Sequence, residues 1–266
     1  FRKSEVGKRL DSVSLWNATP LYQLCPTALI FGIWDSTGPR GGLGAKFARA
    51  IVSEIVGIDA VFGVKTSSRI DPLQVRAAVK VKKGNDGSWE IIDDPKTKGT
   101  VSPSEVNHGN IPPDISENAG GVTISSAEQM IVLSLPALRR LHFPIDNTGL
   151  NNEVDQAGRI VLAALSLCAA ALASEKGFDL RSRCLLWPSE GLTWEILDKP
   201  GEQPLTRMLD MSTAITLLEK AVATAKSVGL NWREDPLVLK PCQQLVELVK
   251  RSQELTAQTG EAGGNE

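Results

Sequence analysis

The stretch from Leu29 to Ile58, LIFGIWDSTGPRGGLGAKFARAIVSEIVGI, decides how the rest of the chain is interpreted. The apolar run from Thr27 to Trp34 lies between a proline and a group of glycines, which predicts a short buried strand. From Leu43 to Ile55, apolar side chains recur three and four residues apart, which predicts an amphipathic helix with Lys46 and Arg49 on its other face. The stretch therefore predicts a strand, a glycine-rich turn and a basic helix in succession.

The glycine-rich turn is a candidate phosphate-binding site. A helix that begins after glycines presents free backbone N–H groups, and these groups bind anions together with nearby cations. The residues that converge here are Gly38, Gly41, Gly42 and Gly44, with Arg40, Lys46 and Arg49 beside them. The P-loop motif G-x-x-x-x-G-K is absent, because Pro39 stands where its first glycine would be. The dinucleotide motif G-x-G-x-x-G is also absent, because Phe47 stands where its last glycine would be. The residues leave open whether the phosphate belongs to a nucleotide, a coenzyme or a nucleic-acid backbone.

Strand and helix patterns alternate around a long irregular segment in the rest of the chain. The segment from Thr66 to Gly121 is rich in prolines and polar turns, which predicts an insertion with a hairpin around the turn at 84–87. An S-x-x-E capping box then predicts a helix from Ser125 to His142, kinked at Pro136. The remaining predictions are a core helix over 153–176, a strand over 178–187, helices over 210–228 and 241–256, and a disordered tail over 258–266.

This order of elements predicts an α+β fold of the RNA-recognition or ferredoxin-like type, with helical and hairpin insertions. The palm domain would comprise residues 1–65 and 120–257, with residues 66–119 as the irregular insertion. A doubly wound sheet fits less well, because the pattern indicates too few strands.

Composition and charge restrict the possible functions. The net charge of −2 argues against a nucleic-acid-binding protein when the chain is taken whole. The total hides an asymmetry, because residues 36–83 contain nine Lys or Arg against three Asp or Glu, whereas residues 84–123 contain two against seven. Aromatic residues are only 5% of the chain, too few to predict a surface built on many stacked rings.

The cysteines and histidines indicate no metal site. The four cysteines are far apart and lie in apolar neighbourhoods, so we expect small buried side chains in a reducing cytosol. His108 and His142 have no nearby cluster of ligands in the sequence, which indicates neither a metal site nor a Ser-His-Asp set. The apolar stretch 160–173 is too short to predict a membrane span. We therefore expect no metal, no cofactor and a cytoplasmic protein.

Two further pairs of cations allow two interpretations each. Arg139 and Arg140 end a predicted helix, where the helix dipole alone favours cations, but they could also contact phosphate. Arg181 and Arg183 lie two residues apart in a predicted strand and would share one face, either solvated or against a nucleic-acid backbone.

Three blocks of the chain resemble one known family. The block from Leu29 to Ala60 is similar to the signature of the backbone subunit of type I-G (formerly I-U) CRISPR effector complexes (Cascade), a RAMP-superfamily protein of the Cas-seven group. Two further blocks, GGVTISSAEQMIVLSLPALRRLHFP (120–144) and FDLRSRCLLWP (178–188), are similar to it as well and follow in the family's order.

The resemblance implies an RNA-binding antiviral subunit of a prokaryotic ribonucleoprotein. Its palm has an RNA-recognition-type fold with finger and thumb insertions. Copies assemble head to tail along the spacer of the CRISPR RNA (crRNA) and present it to a target DNA strand. The implied partners are the crRNA, the target DNA strand, other copies of the chain, the large subunit, a fused RNA-processing subunit and a helicase-nuclease recruited on target binding. Catalysis in type I systems belongs to that separate nuclease, so we expect a non-enzyme.

The family's RNA contacts lie largely in the loop and helix after the first strand. Carried over by position, they are Ser36, Arg40, Gly41, Gly42, Lys46 and Arg49, with Lys65, Arg69 and Arg76 as further candidates and Arg139, Arg140, Arg181 and Arg183 as weaker ones. Two alternatives remain open from the residues alone. One is an enzyme that binds a nucleotide or coenzyme phosphate at the Gly38–Gly44 turn, and the other is an assembly protein without a ligand.

Overall fold

The computed structural model describes residues 4–34, 46–76, 78–94, 96–145, 149–181 and 183–259, without the side chains of residue 112 and residues 255–259. Seven α-helices and fourteen short strands lie in this part of the chain. Each strand pair for which a register is given is antiparallel. The fold is therefore α+β, as predicted. The described strands form seven separate pairs, so the RNA-recognition topology stays a prediction.

The chain divides into two compact units. Unit 1 comprises residues 1–56 and 127–237, and unit 2 comprises residues 57–126 and 238–266. The palm-and-insertion division of the chain stays a prediction beside these units.

Unit 1 contains most of the helices. Its helices are α1 (Glu5–Arg9), α2 (Thr19–Leu24), α3 (Thr27–Phe31), α4 (Leu135–Arg139), α5 (Asn152–Ser174) and α6 (Met211–Ser227). Its strands are β1 (Ile33–Trp34), β2 (Lys46–Phe47), most of β3 (Ile51–Ile58) and β10 (Ser126–Leu133), and β11 (Phe178–Arg181), β12 (Cys184–Leu186), β13 (Thr193–Ile196) and β14 (Leu205–Met208). In this unit β1 pairs with β2, β11 with β12 and β13 with β14, and the longer strand β3 pairs with β10.

The core of unit 1 forms around α5. Asn151 caps α5 by accepting hydrogen bonds from two backbone N–H groups. Helix α5 packs against α6, which Asp210 caps by accepting from the Thr213 N–H group. Val161 and Leu162 of α5 are completely buried. Gly158 permits close contact with Phe143, because a Cβ at this glycine would lie 2.7 Å from the Phe143 ring.

Helix α5 also has the length and composition of a membrane-spanning helix, alone among the helices of the described part of the chain. Half of its most apolar window is buried inside the structure, and the core helix of a soluble protein passes the same test. In this structure α5 is the central core helix of unit 1.

Unit 2 is built mainly of short strand pairs. Its elements are β4 (Val61–Phe62), β5 (Lys65–Arg69), β6 (Lys80–Lys83), β7 (Trp89–Ile92), a 3-10 helix (Pro103–Val106), β8 (Ile111–Ser116), β9 (Val122–Thr123) and α7 (Gln243–Thr259). In this unit β4 pairs with β9, β5 with β8 and β6 with β7. The predicted hairpin around the turn at 84–87 is confirmed, with Lys80 opposite Ile92 and Lys83 opposite Trp89.

The predicted elements of the opening stretch are wrong. Residues 27–31 form helix α3, which ends at Gly32 (φ +83°), and the strand that follows is only two residues long. The described part of the predicted helix, from Lys46 onward, forms β2 and β3 instead. The β-branched side chains of Ile51, Val52, Ile55 and Val56 favour extended backbone, and the spacing of three and four is here incidental.

The helix predicted from Ser125 to His142 is also wrong over most of its length. Residues 126–133 form strand β10, and the Ser125 hydroxyl donates to the Ile58 carbonyl oxygen instead of capping a helix. Helix α4 begins after Ser134, whose hydroxyl accepts from the Ala137 N–H group, and Pro136 lies in its first turn. Proline is tolerated in a first turn because its missing N–H group has no partner there. No kink is therefore needed.

The predicted helices over 153–176, 210–228 and 241–256 are confirmed with small shifts of their ends. The strand predicted over 178–187 is instead the hairpin of β11 and β12, and Arg183 adopts a positive φ of 64° in its turn. Residues 258 and 259 are the last two residues of α7, and residues 260–266 lie outside the described residues, so the disordered tail stays a prediction.

The cysteines only partly follow the prediction. Cys168 is buried on α5, and burial raises the pKa of its thiol. Cys184 is half-buried, whereas Cys25 and Cys242 are exposed. The apolar sequence around these two cysteines did not predict their exposure. Cys25 follows the last residue of α2, and Cys242 precedes the first residue of α7.

Candidate functional site

The strand pair β1–β2 is where the chain enters and leaves the glycine-rich turn. Trp34 lies opposite Lys46, and Ile33 lies opposite Phe47. Phe47 is 5% exposed and anchors the pair in the core of unit 1, and the Ala50 N–H group donates to the Ile30 carbonyl oxygen at 2.8 Å. One side of the strand pair therefore packs on the core, while Trp34 and Lys46 remain exposed to solvent.

Gly32 allows this approach of backbone to backbone. A Cβ at Gly32 would lie 3.0 Å from the Phe47 carbonyl oxygen and 3.2 Å from the Arg49 nitrogen. The φ of +83° is also a conformation that side chains other than glycine rarely adopt. Glycine is therefore needed at this position for both its conformation and its size.

Trp34 and Lys46 form the most distinctive arrangement on this strand pair. The Lys46 Nζ lies 5.7 Å from the centroid of the Trp34 ring, within the range of a cation–π contact. Trp34 is 66% exposed, and Lys46 and Arg49 are also exposed. A flat aromatic surface and the Lys46 cation are therefore available to a ligand at one place, with Arg49 exposed three residues further along the chain.

The glycine-rich turn itself lies outside the described residues. This applies to Asp35 and to four predicted RNA contacts, Ser36, Arg40, Gly41 and Gly42. The described residues after the turn correct the expected mechanism of binding, since Lys46 begins a strand and Arg49 lies in the connection to β3. There is no helix N-terminus at residues 46–55 to bind phosphate.

The predicted contacts of unit 2 differ in their availability. Lys65 is exposed at the start of β5, opposite Ser116, and Arg76 is exposed in the segment between β5 and β6. Arg69 is instead held by the protein, because its guanidinium group donates to the backbone carbonyl oxygens of His108 and Gly109, both at 3.1 Å.

The remaining predicted contacts lie in unit 1. Arg139 and Arg140 are exposed at the C-terminal end of α4, where the sequence placed a helix end. Arg181 and Arg183 are exposed on the β11–β12 hairpin, but Arg183 lies in its turn, so the inference that they share one strand face is wrong. Among the described residues, no carboxylate forms an ion pair with these four arginines.

A second feature of unit 1 was missed by sequence reasoning. The Asp155 carboxylate is 1% exposed and accepts hydrogen bonds from the Phe143 N–H group at 2.7 Å and from the His142 ring at 2.5 Å. Arg159 approaches the same carboxylate at 3.5 Å. Trp16 stacks on the His142 ring with centroids 4.6 Å apart. Their separation in sequence gave no signal that these residues meet.

The exposure of the tryptophans was missed as well. Four of the six tryptophans are among the exposed large apolar side chains, namely Trp16, Trp34, Trp89 and Trp187. The low aromatic fraction pointed away from an aromatic surface, but it says nothing about where the few aromatic side chains lie. The polar residues around Trp16 and after Trp34 were the features of the sequence that could have predicted the exposure of these two rings.

Unit 1 also has an open cavity of about 410 Å³, lined in part by Trp187, Glu175, Glu190 and Asp210. Three carboxylates on its wall oppose the binding of a phosphate group. In the described part of the chain, no group of three or more His, Cys, Asp and Glu side chains could hold a metal ion.

A comparison with protein families matches the same part of the chain. The model of a family described as CRISPR-associated protein GSU0053 matches residues 1–62, which include Trp16, Trp34, Lys46 and Arg49. No curated protein matches the chain. The N-terminal part is thus similar to a CRISPR-associated family, which supports a role as a CRISPR-associated protein.

Proposed function

We propose that the chain is the crRNA-binding backbone subunit of a type I-G Cascade complex. The observation that carries this proposal is the exposed pair of Trp34 and Lys46, which lies within the segment matched by the CRISPR-associated family. The blocks at 29–60, 120–144 and 178–188 support the type and the subunit, because they resemble its backbone protein.

The chemistry of this place suits a strand of RNA. Lys46 and Arg49 can contact phosphates of any sequence, and the indole of Trp34 offers a surface on which any base can stack. Such contacts bind and position a strand without catalysis. We therefore propose a binding subunit and not an enzyme.

The wider assembly follows from the same proposal. Copies would bind side by side along the crRNA spacer in a head-to-tail array, which is an interface that does not close on itself. The basic segment 36–83 and the acidic segment 84–123 are complementary in charge and suit contacts between neighbouring copies. The large subunit, the fused RNA-processing subunit, the target DNA strand and the helicase-nuclease would join this array in a prokaryotic cytoplasm.

The nucleotide- or coenzyme-binding enzyme has less support. Its premise was a helix N-terminus after the glycines, and the described residues there form strands. The cavity of unit 1 has an acidic wall. No observation on the described residues favours this alternative.

A test of the proposal replaces Lys46 and Arg49 by alanine together and measures the binding of guide-length RNAs of several sequences. We expect weaker binding for every sequence, because phosphate contacts are independent of the bases. The slope of log K against log salt should flatten by about 0.7 for each cation removed.

The matched control is K199A/R207A, which removes two exposed cations from the β13–β14 region. We expect this control to bind RNA as the wild type does. An unchanged affinity and salt slope in K46A/R49A would refute the site, and heat release with a mononucleotide but not with RNA would favour the enzyme alternative.

A further inference from the structure

Trp16 presents one free aromatic face at the surface of unit 1. Its ring is nearly parallel to that of His142, with an interplanar angle of 8° and centroids 4.6 Å apart. Nevertheless, Trp16 is 63% exposed. The imidazole covers one face of the indole, so the opposite face is turned to solvent.

The orientation of this ring is fixed by the core beneath it. The His142 ring is hydrogen-bonded through Nδ1 to the buried carboxylate of Asp155. The His142 backbone donates to the Leu15 carbonyl oxygen at 2.9 Å and accepts from the Ala18 N–H group at 2.8 Å. Backbone hydrogen bonds therefore hold the chain on both sides of Trp16, and the stack on His142 restricts its ring, which lowers the entropy that a ligand's stacking would cost.

Two exposed cations lie close in sequence to His142, the residue that stacks on Trp16. Arg140 precedes His142 by two residues, and both Arg139 and Arg140 are exposed, without a carboxylate partner among the described residues. Arg159 is occupied differently, since its guanidinium group donates to the Leu141 carbonyl oxygen and to Asp155. An exposed aromatic ring with one open face is a surface on which a base of single-stranded nucleic acid can stack, and exposed cations nearby in the same unit can contact its phosphates.

We propose that the outer face of Trp16 is a stacking platform for one unpaired base of a nucleic-acid strand. The proposal rests on the RNA-binding function proposed above and adds a base contact separate from the Trp34–Lys46 pair. Its source could be the guide RNA or the target DNA, because both present the same flat base.

The test measures binding of the full chain to a labelled single-stranded RNA and to the same RNA carrying abasic sites. Replacing Trp16 by alanine should weaken binding of the RNA with bases about 5- to 150-fold, the effect of one lost base stack. The affinity of W16A for the abasic RNA should decrease much less. The affinity of W16F for the RNA with bases should stay within about threefold of that of the wild type. The salt slope should not change, because no cation is removed.

The matched control is W187A, which removes another exposed tryptophan of unit 1 and should bind as the wild type does. Thermal unfolding of W16A and W16F is the control that tests whether both variants are folded. A single-stranded DNA of the same sequence forms a second arm. A W16A effect confined to RNA assigns the base to the guide, and an effect confined to DNA assigns it to the target.

The possible failures can be told apart. If W16A binds both the RNA and the single-stranded DNA as tightly as the wild type, or loses the same factor on the abasic RNA, the platform is refuted while the proposed function stands. If the wild type binds neither RNA nor DNA, the proposed function and the platform both fall. If W16A weakens binding but K46A/R49A does not, the platform stands and the Trp34–Lys46 site is wrong.

Discussion

The two units of the molecule keep their structure by different means. The buried apolar side chains of the described residues lie mostly in unit 1, around α5, with Val81 and Pro103 as exceptions in unit 2. Each unit has a buried aspartate. Asp155 is bonded to two side chains and one N–H group in an apolar core, whereas Asp71 accepts from the N–H groups of Gly109 and Leu73.

This difference indicates which unit can keep the side chains of a binding site in a fixed orientation. Packed side chains resist displacement, so unit 1 can fix the rings of Trp34 and Trp16. Unit 2 depends on strand ladders and on the hydrogen bonds of Asp71. Regions with few buried apolar contacts open most readily, and we therefore expect unit 2 to exchange its amide protons first.

The largest expected effect comes from the core of unit 1. Phe143 is completely buried, so F143A should lower the free energy of unfolding by about 3–5 kcal/mol. V81A in unit 2 removes two carbon groups and should cost about 1.5–2 kcal/mol. Thermal and urea unfolding followed by circular dichroism measure both. A larger loss in V81A than in F143A would break the comparison between the units.

An intermediate effect is expected at two glycines with nearly the same φ. Gly32 in unit 1 has φ +83° with the Phe47 carbonyl oxygen close to its Cβ position, whereas Gly87 in unit 2 has φ +82° and nothing within 4 Å. G32A should therefore lower the free energy of unfolding by about 1–3 kcal/mol. G87A should lower it less, because the added Cβ meets no neighbouring atom. G32A should also weaken RNA binding through β1–β2. Equal losses of stability in the two variants would show that crowding at Gly32 is unimportant.

The smallest effect concerns pH and Asp71. The Gly109 N–H group, followed by that of Leu73, lowers the pKa of Asp71 below its ordinary value. Because the folded pKa lies below the unfolded one, the carboxylate stabilises unit 2 above about pH 4. This contribution is lost as the pH falls through the folded pKa.

Hydrogen exchange of the Gly109 and Leu73 amides, expressed relative to the intrinsic rate at each pH, measures this loss. Protection should decrease toward acid pH in the wild type. D71N should have lower protection at neutral pH and a flatter pH dependence, since an amide has one accepting oxygen in place of two. Identical pH profiles in the wild type and D71N would exclude Asp71 as the source.

The confirmed parts of the fold depend on local signals. The caps at Asn151 and Asp210, the glycines after α5 and α6, and the turn at 84–87 each act within a few residues of chain. Helices α5, α6 and α7 and the β6–β7 hairpin could therefore be predicted. The charge difference between residues 36–83 and 84–123 is likewise a property of sequence alone.

The wrong predictions involve partners that are distant in sequence. Strand β3 pairs with β10, about seventy residues later, so a spacing that also fits a helix became a strand. At the candidate site, Lys46 and Arg49 were predicted as cations of a helix, but the structure places them around a strand and adds Trp34 as a neighbour. The RNA contact of Arg69 stays a prediction, and the structure adds that its guanidinium group donates to the carbonyl oxygens of His108 and Gly109.

The sequence by itself determined the α+β class, the capped helices and the basic, glycine-rich stretch within the segment that matches a CRISPR-associated family, because short-range patterns specify caps, turns and charge. Only the tertiary structure decided that residues 46–58 are extended, that Trp16 and Trp34 are exposed, and that His142 meets Asp155. The physical reason is that strand pairing and burial depend on contacts between segments far apart in the chain, which local periodicity does not encode.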